Sequence, residues 1–164
     1  MKEQQLKNIL DFFNSRPTAK KTVVGAGLAV TYIMYGIYPL FIALQIYFKN
    51  PLTLRLVLVP AVSFVILSVF RRILNFKRPY EKFDITPLYN KSTKGCSFPS
   101  RHTFSAFMIA FAVMCVYPIL GGILTFLGVL LALSRVLCGV HFIRDVAAGA
   151  IFAVVCALIG FVII

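Results

Sequence analysis

Residues 22–48 read TVVGAGLAVTYIMYGIYPLFIALQIYF, 27 positions without one Asp, Glu, Lys or Arg. A helix at the surface of a soluble protein carries a polar stripe, whereas one that crosses a bilayer needs about 20 mostly apolar residues and no such stripe. This stretch decides the class of fold, and Pro39 is expected to kink it. The pattern continues along the chain. Apolar runs recur at about 52–74, 101–117, 119–137 and 144–164, the third punctuated by Pro118 and Gly121-Gly122. Of 164 residues, 60% are hydrophobic and only 13% charged. An ordinary globular chain carries about 25% charged residues. Soluble and disordered classes are thereby excluded. The expectation is an all-α integral membrane protein: a single domain over 1–164, a bundle of about five transmembrane helices.

Residues 1–21 lack the long apolar core of a signal peptide. Leu6, Ile9, Leu10 and Phe13 recur at helical spacing, with Lys2, Lys7 and Asp11 among them. That pattern suits a short interfacial helix, and equally a polar tail. The four cysteines, Cys96, Cys115, Cys138 and Cys156, form no pair at metal-ligand spacing and read as small apolar residues.

Most connections are short. The exception, 75–99, is rich in charge, Tyr, Pro, Ser and Gly, and a loop that long in a compact chain usually serves function. Five spans put this loop, the 138–144 turn and the N-terminus on one face. All but Lys49 and Arg55 of the 17 Lys and Arg, in a chain of net charge +12, fall on that face. Such an excess suits anionic headgroups or an anionic substrate.

Three groups on this face carry chemistry. In the run FRRILNFKRPY (70–80), Arg71 and Arg78 are seven apart, about two turns along one side of a helix. Guanidinium groups match phosphate oxygens in a two-pronged geometry, although a basic cluster at a helix end more often snorkels to the interface. In FPSRHT (98–103), Ser100 is a candidate N-cap, and the helix start behind it offers free N–H groups to an anion. His102, in the first turn, could donate a proton; the plainer reading is a cap beside an interfacial histidine. In Ser134-Arg135-x5-His141-x3-Asp145, a helix would put His141 and Asp145 on one face, where the carboxylate fixes the imidazole tautomer and frees the other nitrogen as base or nucleophile. The plainer reading is a structural pair. Together the cations, histidines, carboxylate and helix start suit phosphoryl transfer. Two His and one Asp could instead ligate a metal, but the surrounding arginines would repel a divalent cation.

In this order the three groups resemble the signature of the type-2 phosphatidic acid phosphatase superfamily, which includes membrane lipid phosphatases, bacterial acid phosphatases and vanadium haloperoxidases. Its pattern is Lys-x6-Arg-Pro, Pro-Ser-Gly-His and Ser-Arg-x5-His-x3-Asp. Arg71 here replaces the Lys, and Arg101 the Gly. The resemblance implies a metal-independent, two-step reaction with no cofactor. His141 attacks phosphorus to form a phosphohistidine, and Asp145 orients it. His102 protonates the leaving oxygen and then activates water. Arg71, Arg78, Arg135, Ser100 and the amide of Arg101 hold the phosphoryl oxygens. The implied partners are the bilayer and a membrane lipid phosphate, not nucleic acid. Undecaprenyl diphosphate, phosphatidylglycerophosphate and phosphatidic acid lead, with the 75–99 loop (Tyr80, Lys82, Tyr89, Lys91, Lys94) helping to choose the headgroup. A phosphotransferase of the same fold and a non-catalytic lipid-phosphate carrier are the rival readings. The resemblance also implies an extracytoplasmic site in the cell membrane, whereas the positive-inside rule, applied to the N-terminal lysines, points to the cytoplasm.

Overall fold

The computed structural model describes residues 3–83 and 85–163, so Lys2, named above, and the last position of the 144–164 run lie outside the described residues. The helices are α1 (Glu3–Asn14), α2 (Pro17–Tyr47), α3 (Thr53–Leu74), α4 (Pro79–Lys82), α5 (Arg101–Met114), α6 (Pro118–Leu137) and α7 (Ile143–Ala157), which runs on as a π-helical segment, Leu158–Ile163. No strand occurs among the described residues. Pro17 and Pro118 open α2 and α6, where a missing N–H costs nothing. Asn75, at φ 43°, closes α3 in the left-handed conformation.

Four segments are long and apolar enough to cross a membrane: α2, the segment containing α3, α6, and α7 with its continuation. The chain is a multi-pass, all-α membrane protein. Its outer surface is apolar, as lipid requires: Ile119, Ile73 and Tyr32 are 83%, 75% and 70% exposed. The remaining apolar helix, α5, has only 14 residues. At 1.5 Å per residue it reaches about 21 Å, short of the ~30 Å hydrocarbon thickness. It is nevertheless the hub, packed by α2, α3, α6 and α7. Its buried positions include Ala106, Ala110 and Ala112, small enough to admit neighbouring helices closely. Buried Leu56, Leu124 and Leu131 complete the core around it.

The N-terminal segment is helical, and its apolar stripe faces protein. Leu6 and Leu10 of α1 are buried with Leu88, Cys138 and Val140. α1 thus lies against the long loop and the turn after α6, the two segments that carry the candidate chemistry.

Candidate active site

The α6–α7 turn shows why the third motif has its spacing. α6 ends at Leu137, and Gly139 takes φ 73°, a left-handed conformation that glycine adopts without steric cost. The chain folds back so that Val140 and His141 both donate backbone N–H bonds to the Arg135 carbonyl, at 3.2 and 3.3 Å. Five intervening residues therefore tie His141 to Arg135. α7 starts at Ile143, so His141 precedes the helix, contrary to the shared-helix expectation. Asp145 reaches it from the first turn of α7: its Oδ2 accepts from the Phe142 N–H at 3.0 Å and lies 3.5 Å from His141 Nδ1. Ser97, from the long loop, donates to the same Oδ2 at 2.5 Å and lies 3.4 Å from His141 Nδ1. Both Asp145 and Ser97 are fully buried.

Burial pushes the His141 imidazole down to about 4, the Asp145 hydrogen bond opposing and Arg78 and Arg71 adding to the shift. The ring is neutral at neutral pH, with Nδ1 turned to Asp145 and Ser97. Nε2 is then the nitrogen available for chemistry.

The second motif docks onto this turn through backbone. Ser100 caps α5, accepting from the Thr103 N–H at 3.5 Å and its hydroxyl at 3.1 Å. Its own N–H donates to the Asp145 carbonyl at 2.8 Å. That approach requires Gly149: a Cβ there would stand 2.6 Å from the Ser100 carbonyl oxygen.

The first motif is not one helical face. The left-handed Asn75 ends α3 between Arg71 and Arg78, and Arg78 precedes the separate α4. Each arginine is placed by carbonyls. Arg71 donates to Pro99 and Cys96. Arg78 donates to Gly95 at 3.1 Å and to Val140 at 3.5 Å. Glu81 anchors this corner, accepting from the N–H groups of Arg78 and Gly95, each at 2.9 Å. Arg135 is held instead by hydroxyls, Tyr89 and Thr31, each at 2.8 Å.

These elements enclose a cavity of about 60 Å³ walled by Arg71, Arg78, Arg101, His102, Arg135 and His141, with Tyr89, Lys91, Thr93 and Val140. Drug-sized ligands occupy roughly 300–1,000 Å³, so this space suits a headgroup and not a tail. Asp145 stands behind His141, and Ser100 is a fully buried cap; neither lines the cavity. Of the loop residues singled out in the sequence, Tyr89 and Lys91 line it, while Tyr80 bonds the Thr93 carbonyl at 2.5 Å and Lys82 and Lys94 are exposed. Sequence reading missed Ser97, Thr31 and Glu81. Thr31 carries a faint signal, as a polar residue in an uncharged span; Ser97 carries none.

Electrostatically the cavity suits an anion. Arg71, Arg78 and Arg135 are buried, at 3%, 5% and 6% exposure, and none pairs with a carboxylate of a described residue. Burial, then Arg78, Arg135 and Arg101, lowers the Lys91 ammonium below its ordinary range. At an effective dielectric of about 20, a unit charge 4 Å away gains roughly 4 kcal/mol, before its own desolvation. Among the described residues no three His, Cys, Asp or Glu converge as a metal site. Burial raises the Cys138 thiol to about 11, which keeps it protonated.

Comparison with known proteins agrees with this geometry. Residues 52–164 match the PAP2 superfamily. The bacitracin transport permease protein BcrC of Bacillus licheniformis is 31% identical over 133 residues, 77% of this chain. The match spans 66% of that relative's length. The crystal structure of Aquifex aeolicus LpxE superposes with a TM-score of 0.74 at 25% identity, covering 96% of this chain and 92% of that one. A transmembrane PAP2-type phosphatidylglycerolphosphate phosphatase from Bacillus subtilis shares the fold, with a TM-score of 0.58 at 22% identity over 95% of this chain and 90% of that one. Both the sequence match and the architecture place this chain in the PAP2 superfamily.

Proposed function

We propose that the chain is a metal-independent lipid phosphate phosphatase working through a phosphohistidine. One observation carries this reading: a neutral histidine, backed by Asp145 and Ser97, opens into an anion-sized cavity walled by three buried arginines. His141 Nε2 attacks phosphorus as the bond from phosphorus to the lipid oxygen breaks, and His102 gives that oxygen its proton. Water then attacks phosphorus, losing a proton to His102, while the P–N bond breaks and phosphate leaves. Arg71, Arg78 and Arg135 neutralise the phosphoryl oxygens, which gather charge as the bonds change. Asp145 stabilises the histidine as it becomes cationic.

The substrate is a lipid phosphate of the undecaprenyl diphosphate, phosphatidylglycerophosphate or phosphatidic acid type. The B. licheniformis relative is named for transport. A carrier would use the arginines but has no need of a histidine held between Asp145 and Ser97. A phosphotransferase would pass phosphate to an acceptor lipid, and product analysis with and without that acceptor separates it from a hydrolase. The deciding measurement is phosphate release from a panel of lipid phosphates in detergent with excess EDTA. Release that vanadate inhibits and His141→Ala abolishes is expected; full activity in His141→Ala, or a strict magnesium requirement, overturns the mechanism.

The site faces the extracytoplasmic side. The likeness to bacterial family members supports this, and five of the cations on that face line the cavity, where they serve substrate and not orientation. A cysteine at position 91 is then labelled by an impermeant reagent in intact cells.

A further inference from the structure

The two oxygens of Asp145 have unequal surroundings. Oδ2 meets Ser97 Oγ at 2.5 Å, the Phe142 N–H at 3.0 Å and His141 Nδ1 at 3.5 Å. Oδ1 is buried and has no hydrogen-bond partner among the described residues. A buried carboxylate oxygen in that state is costly unless a cation compensates it. Arg144 supplies the cation, its Nε 3.5 Å from Oδ1. Successive residues of a helix do not face each other, so the helix alone does not turn Arg144 back onto Asp145. Two rings do: the guanidinium carbon lies 5.2 Å over Phe76 and 5.4 Å over Phe142. Arg144 is also the second residue of α7, where a cation opposes the helix dipole. Helix electrostatics thus argue against an arginine at this position, and the Asp145 oxygen and the two rings argue for it. The rings reach further. Phe76 stands edge-on to Phe98 at 5.7 Å, and its carbonyl accepts from the Ser97 N–H at 2.8 Å. Phe142 stands edge-on to Phe83 at 5.7 Å. Arg144 therefore joins segments from all three motif regions beside the carboxylate that backs His141.

We infer that Arg144 is a positioning residue for His141, acting through Asp145. The inference rests on the proposed phosphohistidine mechanism. The terminal torsion of an aspartate is broad, so a carboxylate held at one oxygen can still pivot. Arg144 holds the other oxygen, and Oδ2 then stays on Nδ1. The tautomer that leaves Nε2 free for attack persists with it. Arg144 is absent from the wall of the arginine cavity. Unlike Arg71, Arg78 and Arg135, it serves orientation and not phosphate. Its side chain is 57% exposed, so solvent screens its charge, and its contribution is one of geometry more than of field.

The test is a mutant cycle on the full chain in detergent, with a lipid phosphate that the wild type hydrolyses. Arg144→Gln is expected to lower kcat about tenfold, within the 10–100-fold typical of a supporting contact, and to move KM less than twofold. Arg144→Lys, which keeps a cation but not the planar group that stacks on the rings, should recover part of that loss. In an Asp145→Asn background, Arg144→Gln should change kcat less than twofold, because the carboxylate it acts through is gone. Arg72→Gln, which removes an exposed arginine at the end of α3, keeps the wild-type kcat. A second readout needs no turnover. In protein labelled with ¹⁵N-histidine, with His102→Ala assigning the two rings, His141 should carry its proton on Nδ1 in the wild type and mix tautomers in Arg144→Gln. An unchanged or raised kcat in Arg144→Gln, an equal tenfold loss in the Asp145→Asn background, or an unchanged tautomer overturns the inference. If Arg144→Gln does not fold, Phe76→Leu takes its place, removing one ring under the guanidinium and leaving the charge, with a smaller loss that must also vanish in Asp145→Asn. Absence of phosphate release from every lipid tested defeats the hydrolase reading instead, and the tautomer measurement still decides what Arg144 does.

Discussion

The two histidines of the cavity sit in opposite surroundings. His141 is 2% exposed, ringed by Asp145, Ser97 and backbone bonds to Arg135. His102 is half-buried, and neither it nor its neighbours Arg101 and Lys91 makes a side-chain hydrogen bond to another described residue. The first wall is preorganised, as suits a nucleophile whose position must not change between substrates. The second has fewer fixed contacts, which under the proposed mechanism suits an acid that follows the leaving oxygen. The difference teaches that, on the proposed reading, one small site has a firmly held side for attack and a side with fewer fixed contacts for the leaving group.

Substitutions test that division. His141→Ala should cost the most, a loss of at least about 10⁴-fold in phosphate release, with no acid-labile phosphoenzyme trapped on the chain. Asp145→Asn should lower kcat by roughly 10³-fold with KM little moved, because the tautomer is lost while the cavity stays. His102→Ala should cost about 10²–10⁴-fold on an alkyl phosphate. That loss should shrink on an aryl phosphate whose leaving oxygen needs no proton; an equal loss on both would assign His102 to the rigid wall. Ser97→Ala, which removes one of three contacts to Asp145 Oδ2, should lower kcat by about tenfold, in line with the 10–100-fold typical of a supporting hydrogen bond.

The smallest effect concerns pH. His141 is held near 4, below the ordinary histidine range, so its neutral, nucleophilic form persists as pH falls. The limb of kcat/KM that belongs to His141 should therefore lie below pH 5. The same shift makes the fold less stable as pH drops through the window from about 6.5 to about 4, because the unfolded chain takes up the proton first. Loss of that limb near pH 6.5 would show that the rigid wall is wetter than its burial indicates.

Much of this was legible in the sequence. The five apolar runs correspond to the helices, since hydropathy over 20 residues is a statement about bilayer thickness. The motif residues Arg71, Arg78, Arg101, His102, Arg135 and His141 do meet in one cavity. What escaped was local geometry. A seven-residue interval suggested one helical side for Arg71 and Arg78, but a single left-handed Asn75 breaks it. A four-residue interval suggested a helical His141, but the pair meets through a helix cap. Ser97 and Asp145 are 48 residues apart, and nothing in either neighbourhood announces the contact. Arg135 reaches Thr31 across 104 residues, a meeting fixed by how α2 packs on α6.

The three buried arginines have a kinetic consequence beyond attack on the lipid. If the cavity of about 60 Å³ neutralises a transferring phosphoryl group as proposed, it does the same for the orthophosphate released. With these cations under 7% exposed, solvent ions screen the product weakly. Under the proposed mechanism, escape of the product is expected to slow each turnover, and free phosphate to compete with lipid for the empty enzyme.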